Sequence, residues 1–173
     1  MKRIQVAVIC ALVCAATASS GKTPWFKEPG IPMTLHSPGF LLQARMPRGW
    51  TIIDNAIVPP PALGSDCRVE VRFHRDHEWN DFLVAALDIG VHRPGRRKTV
   101  LKIGGHPAVS DRYVSGDDKV IKFYLNLSNL EPDSVAVLAL REGLPLDEGD
   151  CELQFLALVH SVSIVRDAPP PEE

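Results

Sequence analysis

The sequence lacks the short motifs that identify the common enzyme classes. It contains no Gly-x-Ser-x-Gly turn, no Walker glycine loop and no dinucleotide-binding glycine pattern. Gly104 and Gly105 are adjacent, but they lead into a predicted strand and are followed by no helix that could bind a phosphate at its N-terminus. We therefore predict a protein that is not an enzyme and has no cofactor. A small hydrolase is an alternative that converging histidine and carboxylate groups would support.

Acidic and basic residues are nearly balanced in number. The chain of 173 residues has 19 Lys and Arg residues against 21 Asp and Glu residues, which gives a formal net charge of -2. A nucleic-acid-binding domain usually carries a strong basic excess, so this balance argues against a nucleic-acid partner. The length fits one domain, and the sequence shows neither an internal repeat nor a second-domain boundary.

An apolar run of the kind that enters a membrane occurs only at the N-terminus. Lys2 and Arg3 form a basic start, Val6–Cys14 is apolar, and Ala16–Ala18 gives a small-x-small cleavage pattern. Residues 1–18 therefore predict a Sec-type signal peptide that is cleaved after Ala18. An N-terminal membrane anchor is the alternative, but the apolar run is shorter than a spanning helix requires.

The predicted signal implies that the protein is exported, and export determines the compartment that we expect. We predict a periplasmic or secreted protein with no transmembrane anchor, because no later segment is long and apolar enough to cross a bilayer. Loss of the two basic residues with the signal changes the formal charge of the mature chain from -2 to -4. Lipid attachment is not predicted, since Cys10 and Cys14 follow large apolar residues instead of small ones.

Few cysteines remain after signal cleavage. Of the four in the chain, two are lost with the signal, and Cys67 and Cys151 stay. An even pair in an oxidising compartment predicts one disulfide, which would join the start of a strand to the start of a helix. Two buried free thiols are the alternative.

The remaining chain predicts a sheet with two helices. β-Branched and aromatic runs separated by Gly, Asp, Asn and Pro indicate a meander of three strands between Gly104 and Arg141. Apolar side chains at helical spacing predict helices over 76–90 and 150–162, the second followed by a short extended piece over 163–165. Further strands are predicted over residues 40–46, 50–54, 67–73 and 99–103.

One predicted strand alternates strictly between apolar and charged residues. Within residues 67–73, the residues Val69, Val71 and Phe73 share one face. Charged residues at positions 68, 70 and 72 share the other face, which indicates a strand with one buried side and one solvated side. The helix that follows has Asp76 as its predicted N-cap and Gly90 as its predicted stop.

One α+β domain is predicted over residues 39–166. Residues 19–38 are polar and rich in Gly and Pro, and they predict an extended lead-in with little regular structure. Residues 56–65 contain three consecutive prolines and predict an exposed connection that does not pair in a sheet. Residues 167–173 predict a disordered tail.

Three local patterns carry a resemblance to a known family. They are the strand and turn Phe40…Met46-Pro47-Arg48-Gly49-Trp50, the step Ile103-Gly104-Gly105-His106-Pro107-Ala108, and the end of the last helix, Phe155…Ser161-Val162-Ser163-Ile164. With the order of the elements, they resemble the Mog1/PsbP-like superfamily, which includes DcrB-type bacterial envelope proteins. The resemblance extends over residues 40–165. It implies a curved antiparallel sheet of about six to seven strands flanked by helices. It implies no catalytic residues and an accessory or binding role, although this chain lacks a lipobox.

Two histidines and a glutamate lie at a predicted junction between a strand and a helix. His74, His77 and Glu78 are spaced so that two imidazoles and a carboxylate could bind Zn²⁺ or Cu²⁺. A usual site needs a third and a fourth ligand, and the sequence supplies no obvious one. No metal is therefore predicted, and solvated loop histidines are the interpretation that we prefer.

The densest charge cluster in the sequence is basic. Arg93, Arg96, Arg97 and Lys98 lie in a predicted loop, where they could dock an acidic partner or an anionic group. A solvated basic loop with no binding role is the alternative.

Three functions are compatible with these observations. Export, a single domain and the resemblance favour an accessory protein that binds a protein partner in the cell envelope. The second interpretation is a periplasmic immunity protein that neutralises an incoming toxin from a neighbouring cell, since such proteins are small and exported. A small hydrolase or a metal-binding protein is the third. The sequence predicts no oligomeric state.

The signal peptide gives a direct prediction about the mature chain. We expect exported protein to begin at Ser19, because cleavage follows the small-x-small pattern. Intact-mass measurement of exported material tests this. A mass that includes residues 1–18, or one that includes a lipid, would contradict it.

Overall fold

The structure is a computed structural model that describes residues 30–37, 39–53, 56–59, 67–87, 95–143 and 150–167. The predicted signal peptide, most of the predicted lead-in, Arg93 and the tail from residue 168 lie outside these ranges.

Strands dominate the described chain. In chain order the elements are β1 (Ile31–Ser37), β2 (Phe40–Met46), β3 (Thr51–Ile53), β4 (Ala56–Val58), β5 (Cys67–His74), α1 (Trp79–Ala86), β6 (Arg97–Ile103), β7 (His106–Ser115), β8 (Asp118–Asn126), β9 (Val135–Gly143), α2 (Asp150–His160) and β10 (Ser163–Arg166). Within the described ranges, neither helix is long and apolar enough to cross a membrane.

The strands form two antiparallel sheets. The large sheet has seven strands in the order β3-β4-β5-β9-β8-β7-β6, and the small sheet has three in the order β1-β2-β10. The predicted α+β class with a large antiparallel sheet is confirmed, and the meander β7-β8-β9 lies where its β-branched and aromatic runs predict it. The sequence did not predict a separate small sheet.

Two segments that were predicted to lack regular structure contain strands. β1 lies inside the predicted lead-in and pairs with β2 from Ile31 opposite Met46 to Ser37 opposite Phe40. β4 lies inside the predicted connection, where all three of its residues pair with β3 and the first two pair with β5. These predictions are wrong because proline ends a strand only where the partner needs its N–H. Pro32 lies on an edge strand, and the proline run begins after β4 has ended.

One face of the large sheet is closed by helix α2 and the small sheet. Phe155, Leu158 and Val159 of α2 are almost completely buried. The rings of Phe155 and Phe123 lie 5.7 Å apart, and those of Phe40 and Phe73 stack at 5.6 Å, so both sheets contribute to one apolar core. The core contains the apolar side of β5, and the alternation in that strand therefore predicted its buried face correctly.

The Pro-x-Gly-Trp turn connects β2 to the core. Gly49 has a φ of +81°, which glycine adopts without strain, and the backbone N–H of Trp50 donates to the Pro47 carbonyl at 3.3 Å. The Trp50 side chain is buried, and its indole N–H donates to the side-chain carbonyl of Gln154 on α2. This motif therefore fixes the chain after β2 against the last helix.

The Gly-Gly turn between β6 and β7 meets the other end of the same helix. Gly104 has a φ of +56°, and a Cβ at this position would lie 2.7 Å from the carbonyl oxygen of Val162. Any other residue would push the turn away from the end of α2. The pattern is therefore required by packing, and no phosphate is needed to explain it.

Cys67 and Cys151 lie within bonding distance of one another. Their sulfur atoms are 2.17 Å apart and their Cα atoms 6.6 Å apart, which joins the first residue of β5 to the first turn of α2. Both residues are buried. The bridge has the position that the sequence predicts, at the start of each element.

A group of charged side chains lies beside the disulfide. Glu152 of α2 accepts from Arg112 Nη1 at 2.5 Å and is also paired with Lys119. Lys119 Nζ lies 3.5 Å from the Oε2 atom of the buried Glu142. Burial raises the pKa of Glu152, but the hydrogen bond from Lys119 and the charges of Arg112 and Lys119 outweigh it, so the pKa is lowered overall. These pairs hold the first turn of α2 against β7, β8 and β9.

Removal of the disulfide gives the second prediction. Cys67→Ser should lower the free energy of unfolding by about 2–5 kcal/mol, because the bridge closes a long loop. The melting temperature should fall by about 5–15 °C. Cys151→Ser and the double variant should show the same loss, since each removes the same bond. Melting curves and a thiol count on denatured, non-reduced protein test this; unchanged melting, or two reactive thiols in the unmodified protein, would contradict it.

Candidate functional site

The second face of the large sheet is only partly covered, and we call it the open face. It consists of the alternate residues of β5, β9, β8 and β7 that point away from α2. Register places Glu70, Ala139, Lys122 and Asp111 in one row across these strands. Arg72, Val137 and Tyr124 form the next row.

Helix α1 covers one end of the open face. Its apolar side chains pack on a small cluster formed by Tyr124, Val135, Val137 and Val109. The predicted amphipathic face is confirmed, and its residues are Trp79, Phe82, Leu83, Ala86 and Leu87. The predicted N-cap is wrong: Asp76 has a φ of +59°, and the helix begins only at Trp79.

A cleft remains between α1 and the uncovered part of the sheet, and we call it the α1 cleft. Its volume is about 220 Å³. Ala139, a small residue of its lining, has Glu70 and Lys122 as its register neighbours. The cleft is lined by Glu70, Arg72, His74, Phe82, Ala86, Lys122, Tyr124, Val137, Ala139 and Arg141. The lining combines an apolar floor with a charged rim.

Cations outnumber carboxylates on this rim. Glu70 accepts a hydrogen bond from Arg72 Nη2 at 2.6 Å and lies 3.4 Å from Arg68 Nε, so one carboxylate faces two guanidinium groups. Lys122 Nζ lies 5.7 Å from the centroid of the Tyr113 ring. Arg141 is exposed and forms no ion pair with another residue of the described chain. The rim is therefore positively charged.

His74 is a lining residue of the cleft whose pKa is lowered, which disfavours its charged form. Burial lowers its pKa, and the nearby His77 and Arg72 lower it further. The His74 ring lies 5.0 Å from the ring of Phe82 and 5.9 Å from that of His77. The positive charge of the cleft is thus that of its arginines and its lysine.

The three residues considered as metal ligands lie close together at the mouth of a wide depression beside the cleft. His74, His77 and Glu78 line it with Asp76 and Asp81, and its volume is about 490 Å³. The rings of both histidines instead pack against Phe82. In the part of the chain that the structure describes, no three His, Cys, Asp or Glu side chains are grouped so that they could hold a metal ion.

The residues of the predicted basic loop differ in their location and in their burial. Arg97 and Lys98 are exposed residues of β6 instead of loop residues, and Arg93 lies outside the described chain. The Arg96 side chain is only 8% exposed and forms two bonds to the fully buried carboxylate of Asp111, at 2.8 and 2.6 Å. Arg96 also lies 5.4 Å from the centroid of the Tyr113 ring. The predicted loop is wrong for Arg97 and Lys98, which lie in β6, and the solvated alternative is wrong for Arg96, because Asp111 draws it inward. Docking by Arg97 and Lys98 stays a prediction.

Sequence reasoning did not identify the α1 cleft. Its cations come from three strands that are distant in the chain, Arg72 on β5, Lys122 on β8 and Arg141 on β9. The charged face of β5 was visible in the sequence, but the neighbours that complete the rim depend on the strand order.

The chain was compared with family models, with curated proteins and with solved structures. No family model matches the sequence. No curated protein matches it either. Among solved structures, the chain is similar to LpqN of Mycobacterium tuberculosis, which is described as involved in cell envelope biogenesis. The TM-score is 0.52 and the identity 17%, over 78% of this chain and 90% of LpqN. At this identity the likeness shows a shared fold; membership of the Mog1/PsbP-like superfamily stays a prediction.

Two members of the basic cluster should differ in their contribution to stability. Arg96→Ser should lower the free energy of unfolding by about 3–5 kcal/mol, because it leaves the Asp111 carboxylate buried without its ion pair. Lys98→Ser should change it by less than about 0.5 kcal/mol, since Lys98 is exposed. Chemical denaturation of both variants tests this. Equal stability of the two variants would contradict the buried pair.

Proposed function

We propose that the protein is a non-catalytic binding protein of the cell envelope that engages a protein partner through the α1 cleft. The observation that carries this proposal is the cleft itself. A concave apolar floor with a few convergent polar groups is the usual form of a binding site. Here Arg141 presents its guanidinium at the rim without an ion pair inside the described chain.

The compartment is supported by three observations of different kinds. The N-terminal sequence has the plan of a secretory signal. The cysteines that remain after cleavage lie within bonding distance, and disulfides persist in oxidising compartments. LpqN, which shares the fold, is described as involved in cell envelope biogenesis. The LpqN match supports an envelope role only by analogy of fold.

Binding is favoured over catalysis by the state of the reactive side chains. Both cysteines of the described chain are in the disulfide and do not act as nucleophiles. The histidine of the cleft packs against Phe82 and His77, and His106 pairs with the amide of Asn129 at 3.0 Å. Ser110 and Ser161 donate to backbone carbonyls instead of to an imidazole. These contacts position the groups for packing and folding.

Site-specific photo-crosslinking tests the proposal. The photoreactive residue p-benzoylphenylalanine is placed at Ala85, an exposed residue of α1 that lines the depression beside the cleft. Illumination of intact cells should give one covalent adduct that contains a second polypeptide. An excess of unmodified protein should compete for the partner in envelope extract and reduce the adduct.

The matched control places the same residue at Leu153. This side chain is 47% exposed on α2, which packs on the closed face of the large sheet. It should give no adduct with the same partner. Equal adducts at both positions, or none at position 85, would contradict the proposed function.

A further inference from the structure

The charge of the α1 cleft is opposite to that of the protein as a whole. The mature chain has a formal excess of acidic residues, since Lys2 and Arg3 are lost from a chain that already carries -2. The rim nevertheless presents three cations, Arg72, Lys122 and Arg141, against the single carboxylate of Glu70. Such a local reversal favours an acidic partner and disfavours a basic one.

The register of the strands fixes the spacing of these cations. Arg141 lies two residues beyond Ala139 along β9, and Arg72 lies opposite Val137, two residues before Ala139. Four residues of a strand span about 13 Å. The two arginines therefore lie on opposite sides of Ala139 along the strand direction, and Lys122 lies beside Ala139 on β8.

The side chains of an extended polypeptide are spaced in the same way as these residues of the sheet. Alternate side chains of a strand point to one side and are about 6.6–6.8 Å apart. A chain that follows β9 across the cleft would place one side chain over each of Arg141, Ala139 and the row of Arg72. An acidic residue matches each arginine, and an apolar residue matches the small side chain of Ala139, which lies between their rows.

The size of the cleft sets the kind of group that enters it. Pockets for drug-sized ligands usually have volumes of about 300–1,000 Å³. The volume here is about 220 Å³, with apolar walls from Phe82, Tyr124 and Val137. This space accommodates one apolar side chain with its charged flanks on the rim better than it encloses a whole ligand.

We propose that the α1 cleft binds an extended acidic segment of the partner with the pattern acidic-x-apolar-x-acidic. The apolar side chain lies on Ala139, and the two carboxylates pair with Arg141 and with Arg72, which keeps its bond to Glu70 through Nη2. Lys122 adds a third positive charge beside the apolar position. This inference rests on the proposed function and adds the chemistry by which the partner is recognised.

Fluorescence anisotropy with synthetic peptides tests the recognition. The probe is a rhodamine-labelled peptide, Glu-Ser-Leu-Ser-Glu with blocked ends. It should bind the mature protein, and binding should weaken as salt rises because its carboxylates pair with exposed cations. Gln-Ser-Leu-Ser-Gln and Glu-Ser-Ser-Ser-Glu should each bind about tenfold more weakly or worse. Equal binding of the glutamine peptide would overturn the role of the cations.

Protein variants locate the peptide. Arg141→Glu should weaken binding by about tenfold or more through charge reversal, and Ala139→Leu should do so by filling part of the cleft. Arg166→Glu changes the net charge equally on an exposed residue of β10 and should alter binding by less than about twofold. Melting curves confirm that each variant is folded, and Arg141→Gln serves if Arg141→Glu is not. Equal losses in Arg141→Glu and Arg166→Glu would overturn the site.

Three further outcomes are decisive. Binding of the protein to phosphatidylglycerol vesicles through Arg141, without binding of the acidic peptide, would replace the segment with a membrane surface and overturn the proposal. An adduct at position 85 without peptide binding would leave the proposed function standing and refute the acidic pattern. Peptide binding without an adduct at position 85 would contradict the proposed function, and the preference of the cleft for the acidic pattern would then apply to the peptide alone.

Discussion

The burial of helix α2 between two sheets is the constraint on which the rest of the structure depends. Phe155, Leu158 and Val159 contribute to the one core that both sheets share. The burial of apolar surface of this kind is the main favourable term in folding. The Trp50–Gln154 hydrogen bond, the close approach of Gly104 and the disulfide all fix this helix. Residues that are far apart in the chain therefore all contribute to the packing of helix α2.

Because the main core lies on the closed face of the large sheet, the open face can carry charged residues. Helix α1 is only Trp79–Ala86 and covers one end of that face, so the strands there alternate between apolar floor and charged rim. Charged groups inside the domain have partners close by, as Asp111 has in Arg96. Those at the cleft rim remain solvated and cost little stability. Charge can thus be varied at the rim without a large effect on the fold.

The sequence predicted those features that depend on local periodicity. Strict alternation in β5 placed Val69 in the core and Glu70 on the solvent side, and helical spacing placed Phe82 and Phe155 on buried faces. β1 and β4 were missed because each is short or contains proline and is stabilised by its partner strands. Strand propensity alone does not contain that information.

The cleft and the buried pair were missed for a related reason. Lys122 and Arg141 become neighbours of the β5 charges only when β9 lies between β5 and β8. In the same way, Arg96 was grouped with its sequence neighbours, although its partner Asp111 lies on the adjacent strand β7. A charge cluster in a sequence contains residues that are neighbours along the chain. In a sheet, the charges that contact one another come from different strands.

The bridge between Cys67 and Cys151 has a consequence for the resistance of the protein to proteolysis. These residues are 84 positions apart, and the chain between them includes β6, β7, β8 and β9. A protease that cuts one peptide bond anywhere in that interval produces two fragments that remain covalently joined. Their strands stay at high local concentration and can hold the sheet together. Complete separation of the fragments requires reduction as well as hydrolysis, and an oxidising compartment opposes reduction.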